Sequence, residues 1–283
     1  MITIDSHQHF WDPATAHYPW MTPEVRPLCR RFGPEDLLPL LEASGIQRTI
    51  AVQARSDLDE TRELLATAAT VPFLVGVVGW VDLTGEDVGD VLDSLISSPN
   101  GRFLVGIRHQ AEDEEDPDWL LRPSVLRGLA EVAKRGLTYD LLVRPHQLPG
   151  TVHVVRSLPD LRFVLDHMAK PPIASGTIEP WAGHINALSQ EPNVWCKLSG
   201  MVTQAKVAWS PAQLEPYVDR VLGAFGSLRT IFGSDWPVST LRGTYAEVLR
   251  GTQQALPPLS RSDEENIFGL SALQAYPRAV SGT

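Results

Sequence analysis

Cysteine is nearly absent: Cys29 and Cys196 are the only two among 283 residues. That scarcity excludes a disulfide-stapled fold and a Cys-rich zinc site, and it fits a reducing, cytoplasmic setting. Positive charge is also short, with 24 Lys+Arg against 34 Asp+Glu and a formal net charge of −10. A nucleic-acid binder would carry a basic stripe, and an anionic membrane surface would repel this chain, so neither partner is expected. No run approaches the ~20 apolar residues of a membrane span. The opening Met1-Ile2-Thr3-Ile4 has neither the basic start nor the apolar core of a signal peptide. A Gly-rich phosphate turn after the first strand is missing too, and the chain runs into His7-Gln8-His9-Phe10-Trp11 instead. Without an internal repeat, a low-complexity tract or a linker, residues 1–283 are taken as one domain.

What the sequence does contain is alternation. Apolar residues make up 43% and charged residues 20%, enough to build a large core. Short β-branched runs at 2–9, 49–54, 73–81, 103–109, 138–143, 162–167, 193–198 and 229–233 have the composition of strands. Segments of helical period separate them, at 35–43, 60–69, 88–96, 124–134, 148–158, 181–188, 212–224 and 245–255. Gly45, Gly136 and Gly226 fall where helices should stop, and Ser262 with Glu265 suggests a capping box for a last helix through about Gln274. Eight strands alternating with eight helices over ~250 residues predict an α/β fold, a single (β/α)8 TIM barrel. The connections 11–34 and 110–123 are long and follow strand ends, where such barrels carry pocket walls or lids. For the acidic run Glu112-Asp113-Glu114-Glu115-Asp116, a solvated loop tip is an equal alternative.

Side chains two apart on a strand share a face, which places Asp5, His7 and His9 together inside and Ile2 and Ile4 outside. Neutral imidazole is the commonest metal ligand, and two on one strand can chelate one ion. His109 and His167 end the fourth and sixth strands, and His146 lies just past the fifth. Asp235 follows Gly233, whose missing side chain leaves room near the axis. A carboxylate facing several imidazoles can take a proton from attacking water, although a capping or ion-pairing role would also suit Asp235.

The blocks Asp5-Ser6-His7-Gln8-His9-Phe10-Trp11-Asp12, Asp166-His167-Met168-Ala169-Lys170-Pro171, Phe232-Gly233-Ser234-Asp235-Trp236-Pro237 and Asn266-Ile267-Phe268-Gly269 resemble the amidohydrolase superfamily. Within it they are similar to the amidohydrolase 2 branch, which includes sugar-acid lactonases. The resemblance implies metal ligation by His7, His9, His167 and Asp235. It also implies opening of a sugar lactone by water, with Asp235 as general base and the imidazoles of His167 and His109 at the oxyanion. Binuclear members bridge their ions with a Lys or His ending strand five, where this chain has Arg144, which cannot ligate, and His146 lies too far on. The expectation is therefore one divalent ion, Zn²⁺ or similar, or none, since the branch is similar to metal-independent lactonases. Trp11, Gln53, Arg108, Lys197 and Trp236 are candidates for substrate contact. Alternation lets only one of Arg108 and His109 face inward, Lys197 could equally be a buried ion-pair partner, and the tryptophans could be core. Cys196 is expected to be inert packing. A decarboxylase of an aromatic acid and a non-catalytic binding barrel are the competing readings, and assembly of identical chains is left open.

Overall fold

A computed structural model describes residues 2–279. The single-domain reading extends to Met1 and 280–283, which lie outside the described residues. The strands are β1 (Ile4–Gln8), β2 (Arg48–Val52), β3 (Leu74–Gly79), β4 (Leu104–His109), β5 (Thr138–Leu141), β6 (Arg162–Leu165), β7 (Val194–Leu198) and β8 (Thr230–Phe232). They form one sheet in sequence order, and every paired neighbour is parallel. Main-chain bonds from Asp235 N to His7 O (2.8 Å) and from His9 N to Trp236 O (2.7 Å) draw the β8 end onto β1. The sheet thereby curls into a nearly closed (β/α)8 barrel, as the alternation predicts.

The helices are α1 (Pro34–Ser44), α2 (Leu58–Ala68), α3 (Val88–Ser97), α4 (Pro123–Lys134), α5 (Leu148–Ser157), α6 (Trp181–Ser189), the short α7 (Met201–Gln204), α8 (Pro211–Phe225), α9 (Tyr245–Ala255), α10 (Arg261–Glu265) and α11 (Ser271–Ala275). Proline opens α1, α4 and α8, where its missing N–H costs nothing. Gly45 ends α1 at φ 68°, a left-handed geometry that side chains resist. The cap before the last helical segment differs from expectation. Ser260 accepts from Asp263 N and pairs with that carboxylate at 2.6 Å, so the helix starts two residues before the predicted Ser262/Glu265 box. Both serines precede an acidic residue by three, and the local pattern alone does not choose between them. None of the described helices is long and apolar enough to cross a membrane.

Two apolar layers result. An outer one packs strand residues such as Ala51, Phe163 and Leu165 against the helices. An inner one joins Ile4, Ile50, Val52, Val78, Val105, Val164 and Ile231 inside the barrel. Ala272, Ala275 and Tyr276 cover its floor, with Thr138 at the start of β5 donating to Ala275 O at 2.6 Å. Ile4 is thus an interior residue, contrary to the strict alternation expected of β1. The pairing with β2 shifts register between Asp5 and Gln8. This bulge adds a residue, turns Asp5 toward α9 and β8, and still lets His7 and His9 face inward.

Candidate active site

Asp5 is the staple that sets the site. Its Oδ1 accepts from His7 N (3.1 Å) and Ser234 N (2.8 Å), and its Oδ2 accepts from the Tyr245 hydroxyl at 3.0 Å. One buried carboxylate therefore ties β1, the end of β8 and α9 together, and burial pushes its pKa up to about 6. Gly233 is obligatory here, because a Cβ on it would stand 2.6 Å from His7 Cβ.

His7, His9 and Asp235 converge above this staple. His7 Nε2 and His9 Nε2 are 3.2 Å apart, and Asp235 Oδ1 lies 3.9 and 3.6 Å from them. The tautomer of His9 follows from its partner. His9 Nδ1 faces the Val52 carbonyl at 2.7 Å, and a carbonyl only accepts, so that nitrogen carries the proton. His7 Nε2 is 3.4 Å from the Arg108 guanidinium, and its Nδ1 stands 3.3 Å from both Lys197 Nζ and Asp166 Oδ1. The bare His9 nitrogen, His7 Nε2 and a carboxylate oxygen then converge, a donor set that draws a cation or a proton between them. Tetrahedral zinc with ligands at ~2.0–2.1 Å sets them about 3.3–3.4 Å apart, close to the separations here. The donor set fits a metal ion. His7, Asp166 and His167 form a second such group.

Burial lowers the pKa of His7 well below the usual histidine value, with Lys197 and His167 adding to the effect, so His7 is neutral. Burial also lowers His167. At Asp235 burial acts upward, but the surrounding imidazoles, His167 foremost, outweigh it and hold the carboxyl well below its usual range. Asp235 is accordingly an ionised base at neutral pH, with His7 and His167 neutral beside it.

Beneath His7 lies a charged layer. Arg108 donates to Asp166 Oδ2 at 2.9 Å, and Lys197 Nζ lies 2.6 Å from Asp140 Oδ2 and 3.0 Å from Asp166 Oδ1. Burial opposes charge at Asp166, yet Lys197, His7 and Arg108 together keep it ionised, whereas Asp140 is raised to about 6 by burial. Asp166 is the partner that orients His7, as carboxylates behind metal-site histidines do.

The chain reaches His167 by an unusual route. After β6 the four residues His167, Met168, Ala169 and Lys170 all have positive φ, between 52° and 57°. Each such residue costs ~1–2 kcal/mol, so the turn is held by its surroundings. Met168 and Ala169 are fully buried, Met168 O accepts from Trp181 Nε1 at 2.7 Å, and His167 Nδ1 meets Ser199 Oγ at 2.9 Å.

A cavity of about 220 Å³ opens over Asp235, His9, His167 and Arg108. It lies below the usual range of ligand pockets, which starts at roughly 300 Å³, and so suits one small ring. Trp11, Trp20, Val25, Leu28, Val238 and Leu241 give it an apolar side, and Gln110, Glu112, Asp113, Lys170 and Thr203 a polar one. Both long connections therefore contribute to the pocket wall, the acidic run through Glu112 and Asp113 while Glu115 stays exposed.

Not every candidate is gathered there. Of the pair ending β4, Arg108 turns inward and His109 away. His109 Nδ1 accepts from Trp80 at 3.0 Å, Nε2 meets Glu114 at 2.7 Å, and the ring stacks on Trp119 at 4.1 Å. Lys197 is captured by its two carboxylates, Gln53 donates to Arg108 O at 3.3 Å, and Trp236 packs edge-on to Phe10 and Phe32. These four do not line the cavity, whereas Trp11 does. The sequence reading missed Asp166, Ser199, Glu112 and Lys170, although Asp166 and Lys170 flank His167 in the block already singled out. Cys196 is buried, and burial raises its thiol far above the usual range, which makes it unreactive.

Fold and site together define a barrel hydrolase with a His/Asp centre at the C-terminal mouth. The chain belongs to the amidohydrolase family Amidohydro_2, whose model matches residues 4–278. It is 43% identical over 244 residues to an L-fucono-1,5-lactonase of Burkholderia ambifaria, covering 86% of this chain and 83% of that one. It is 35% identical over 287 residues to an L-fucono-1,5-lactonase of Burkholderia multivorans, covering 97% and 96%. A crystal structure of an amidohydrolase from Burkholderia multivorans with bound zinc superposes with a TM-score of 0.92 at 34% identity, covering 98% and 99%.

Proposed function

We propose that this protein hydrolyses the lactone of a sugar acid, and that L-fucono-1,5-lactone, named for two of its relatives, is the first substrate to try. The observation that carries the reading is Asp235, an ionised carboxylate beside the imidazoles of His9 and His167 on a cavity sized for one ring. Asp235 Oδ1 faces the histidines, which leaves Oδ2 to accept a proton from water attacking the ring carbonyl. A Ser199 hydroxyl donating to His167 Nδ1 leaves the far nitrogen of that ring protonated and able to donate to the carbonyl oxygen. Arg108, fixed by Asp166, adds positive charge on the same side. When the tetrahedral species collapses, the ring C–O bond breaks and Asp235 returns its proton to the leaving alkoxide. The product is an open hydroxy acid, which ionises and releases one proton to solvent.

His7, His9 and Asp235 would hold one divalent ion, with His167 alongside. Bound there, such an ion supplies positive charge to the developing oxyanion. Gln53, Lys197, His109 and Trp236 act in this reading from behind the cavity wall, by holding Arg108, Asp166, the acidic loop and the aromatic side in place. The test is a panel of aldonolactones followed by a pH indicator, with and without added Zn²⁺. Proton release that saturates with lactone and disappears in Asp235→Asn supports the reading. No proton release with any lactone, or CO₂ release from an aromatic acid in its place, overturns it.

A further inference from the structure

Two groups of ligand atoms share His7, and the hydrolysis uses only one of them. The other joins His7 to Asp166 and His167, and its first two members are wholly buried. Because His7 Nε2 faces His9 and Asp235, Nδ1 is the nitrogen left for this second group. That nitrogen meets an ammonium. Lys197 Nζ stands 3.3 Å from His7 Nδ1, 3.0 Å from Asp166 Oδ1 and 2.6 Å from Asp140 Oδ2. An ammonium carries three donors and no acceptor, and two carboxylate oxygens and a ring nitrogen surround this one. The other oxygen of Asp166 faces a second cation, since Arg108 donates to Oδ2 at 2.9 Å.

The ammonium is a hub between strands. Lys197 lies on β7, Asp140 on β5 and His7 on β1, and Asp166 follows β6. Asp140 is anchored in turn from the barrel floor, where the Tyr276 hydroxyl lies 2.8 Å from both of its oxygens and the Tyr276 ring 5.3 Å from Nζ. Charge closes as well. Arg108 and Lys197 face Asp140 and Asp166, and Lys197 and both carboxylates are wholly buried. A dication added to this balanced, desolvated set would bring charge without a partner. Loss of Lys197 would instead leave a buried carboxylate unpaired, which is strongly unfavourable until another cation arrives.

We propose that Lys197 is a resident cation standing where a second metal ion would otherwise bind, so that a divalent ion enters this centre only at His7, His9 and Asp235. The ammonium then does for Asp166 what an ion would do, holding that carboxylate in place beside His7 Nδ1. The inference goes beyond the lactonase reading and depends on no substrate.

The test counts zinc per chain by atomic absorption, after chelator-treated protein is dialysed against excess Zn²⁺. The native protein should hold no more than one ion. Lys197→Ala should hold one more, melt below the native protein without zinc, and recover when zinc is added. Replacing His167 by alanine in that variant should remove the additional ion, which assigns it to the second group. Asp140→Asn disturbs the same cluster but keeps the ammonium, and should gain no ion. Should Lys197→Ala not fold, Lys197→Gln, which keeps a donor and drops the charge, is read in the same way. Two ions on the native protein overturn the proposal. So does a folded Lys197 variant that holds no more zinc than the native protein, or an equal gain in Asp140→Asn. If the native protein holds no zinc and Lys197→Ala holds one ion, the resident cation stands and the metal reading of His7, His9 and Asp235 fails. Lactone opening enters none of these counts, so a failure of the hydrolytic reading is seen separately.

Discussion

Asp235→Asn removes one charge and little else. Asp235 sits at φ 57°, a left-handed conformation that asparagine tolerates at least as well as aspartate, so the backbone is not asked to change. Alanine would be a poorer choice, because it adds strain to the loss of the carboxylate. General-base assistance is worth ~10²–10⁴ in rate, equivalent to about 3–5 kcal/mol in the barrier at 1.36 kcal/mol per decade. Turnover should fall by at least the lower factor. Stability changes less. The folded carboxyl is held below its unfolded value of 3.8, so its contribution is present above that pH and is lost as the pH falls. At neutral pH the variant sets a neutral amide in place of the carboxylate beside the histidines, and its melting temperature should stay within a few degrees of the native value. The depressed pKa also means that protonation of Asp235 produces no fall in the native pH–rate profile until well below pH 3.8. The assay is steady-state proton release per folded molecule, alongside a thermal melt of the same preparation. A stable Asp235→Asn variant with near-native turnover would refute the argument and leave Asp235 as a structural cap.

Four other outcomes follow from particular contacts. Glu60 is buried, accepts from Ala54 N and Arg55 N at 2.9 Å, and is raised by that burial to about 7. A raised carboxyl stabilises the fold below its unfolded value of 4.5 and loses that contribution as the pH rises through 7. Glu60→Gln should therefore gain up to about 3 kcal/mol relative to the native chain between pH 4.5 and 8, measured by urea unfolding; parallel pH curves would contradict it. Gly233→Ala, whose Cβ would lie 2.6 Å from His7 Cβ, should cost ~1–3 kcal/mol and most of the activity. Zn²⁺ added to chelator-treated protein should raise the melting temperature, the stabilisation being ~2.7 kcal/mol when free Zn²⁺ is a hundredfold above Kd, and His9→Ala should abolish the rise. A thiol reagent should titrate exposed Cys29 in the folded protein and reach Cys196 only on unfolding.

The sequence by itself determined the barrel and pointed to part of its mouth. Eight buried parallel strands need near-continuous β-branched runs, and helices that cover them need one apolar stripe, so period and punctuation carry the whole alternation. His7, His9 and Asp235 were legible because a strand end confines a side chain to the mouth. Tertiary structure decided which way each neighbour turned. A single bulge in β1 sent Asp5 outward and Ile4 inward, and nothing local marks a bulge whose cause is the pairing with β2. Lys197 was taken by Asp140 and Asp166, 57 and 31 positions earlier in the chain, and so left the substrate's reach. Lys170 became a cavity residue because four successive residues adopt a left-handed turn, which propensity opposes and only the packing of Met168, Ala169 and Trp181 sustains. The acidic run became a pocket wall because Lys170, 58 residues further on, meets Glu112. A side chain's type and its place on a strand are local facts, whereas its partner is fixed by where distant segments meet, and charge and tautomer at this site depend on those partners.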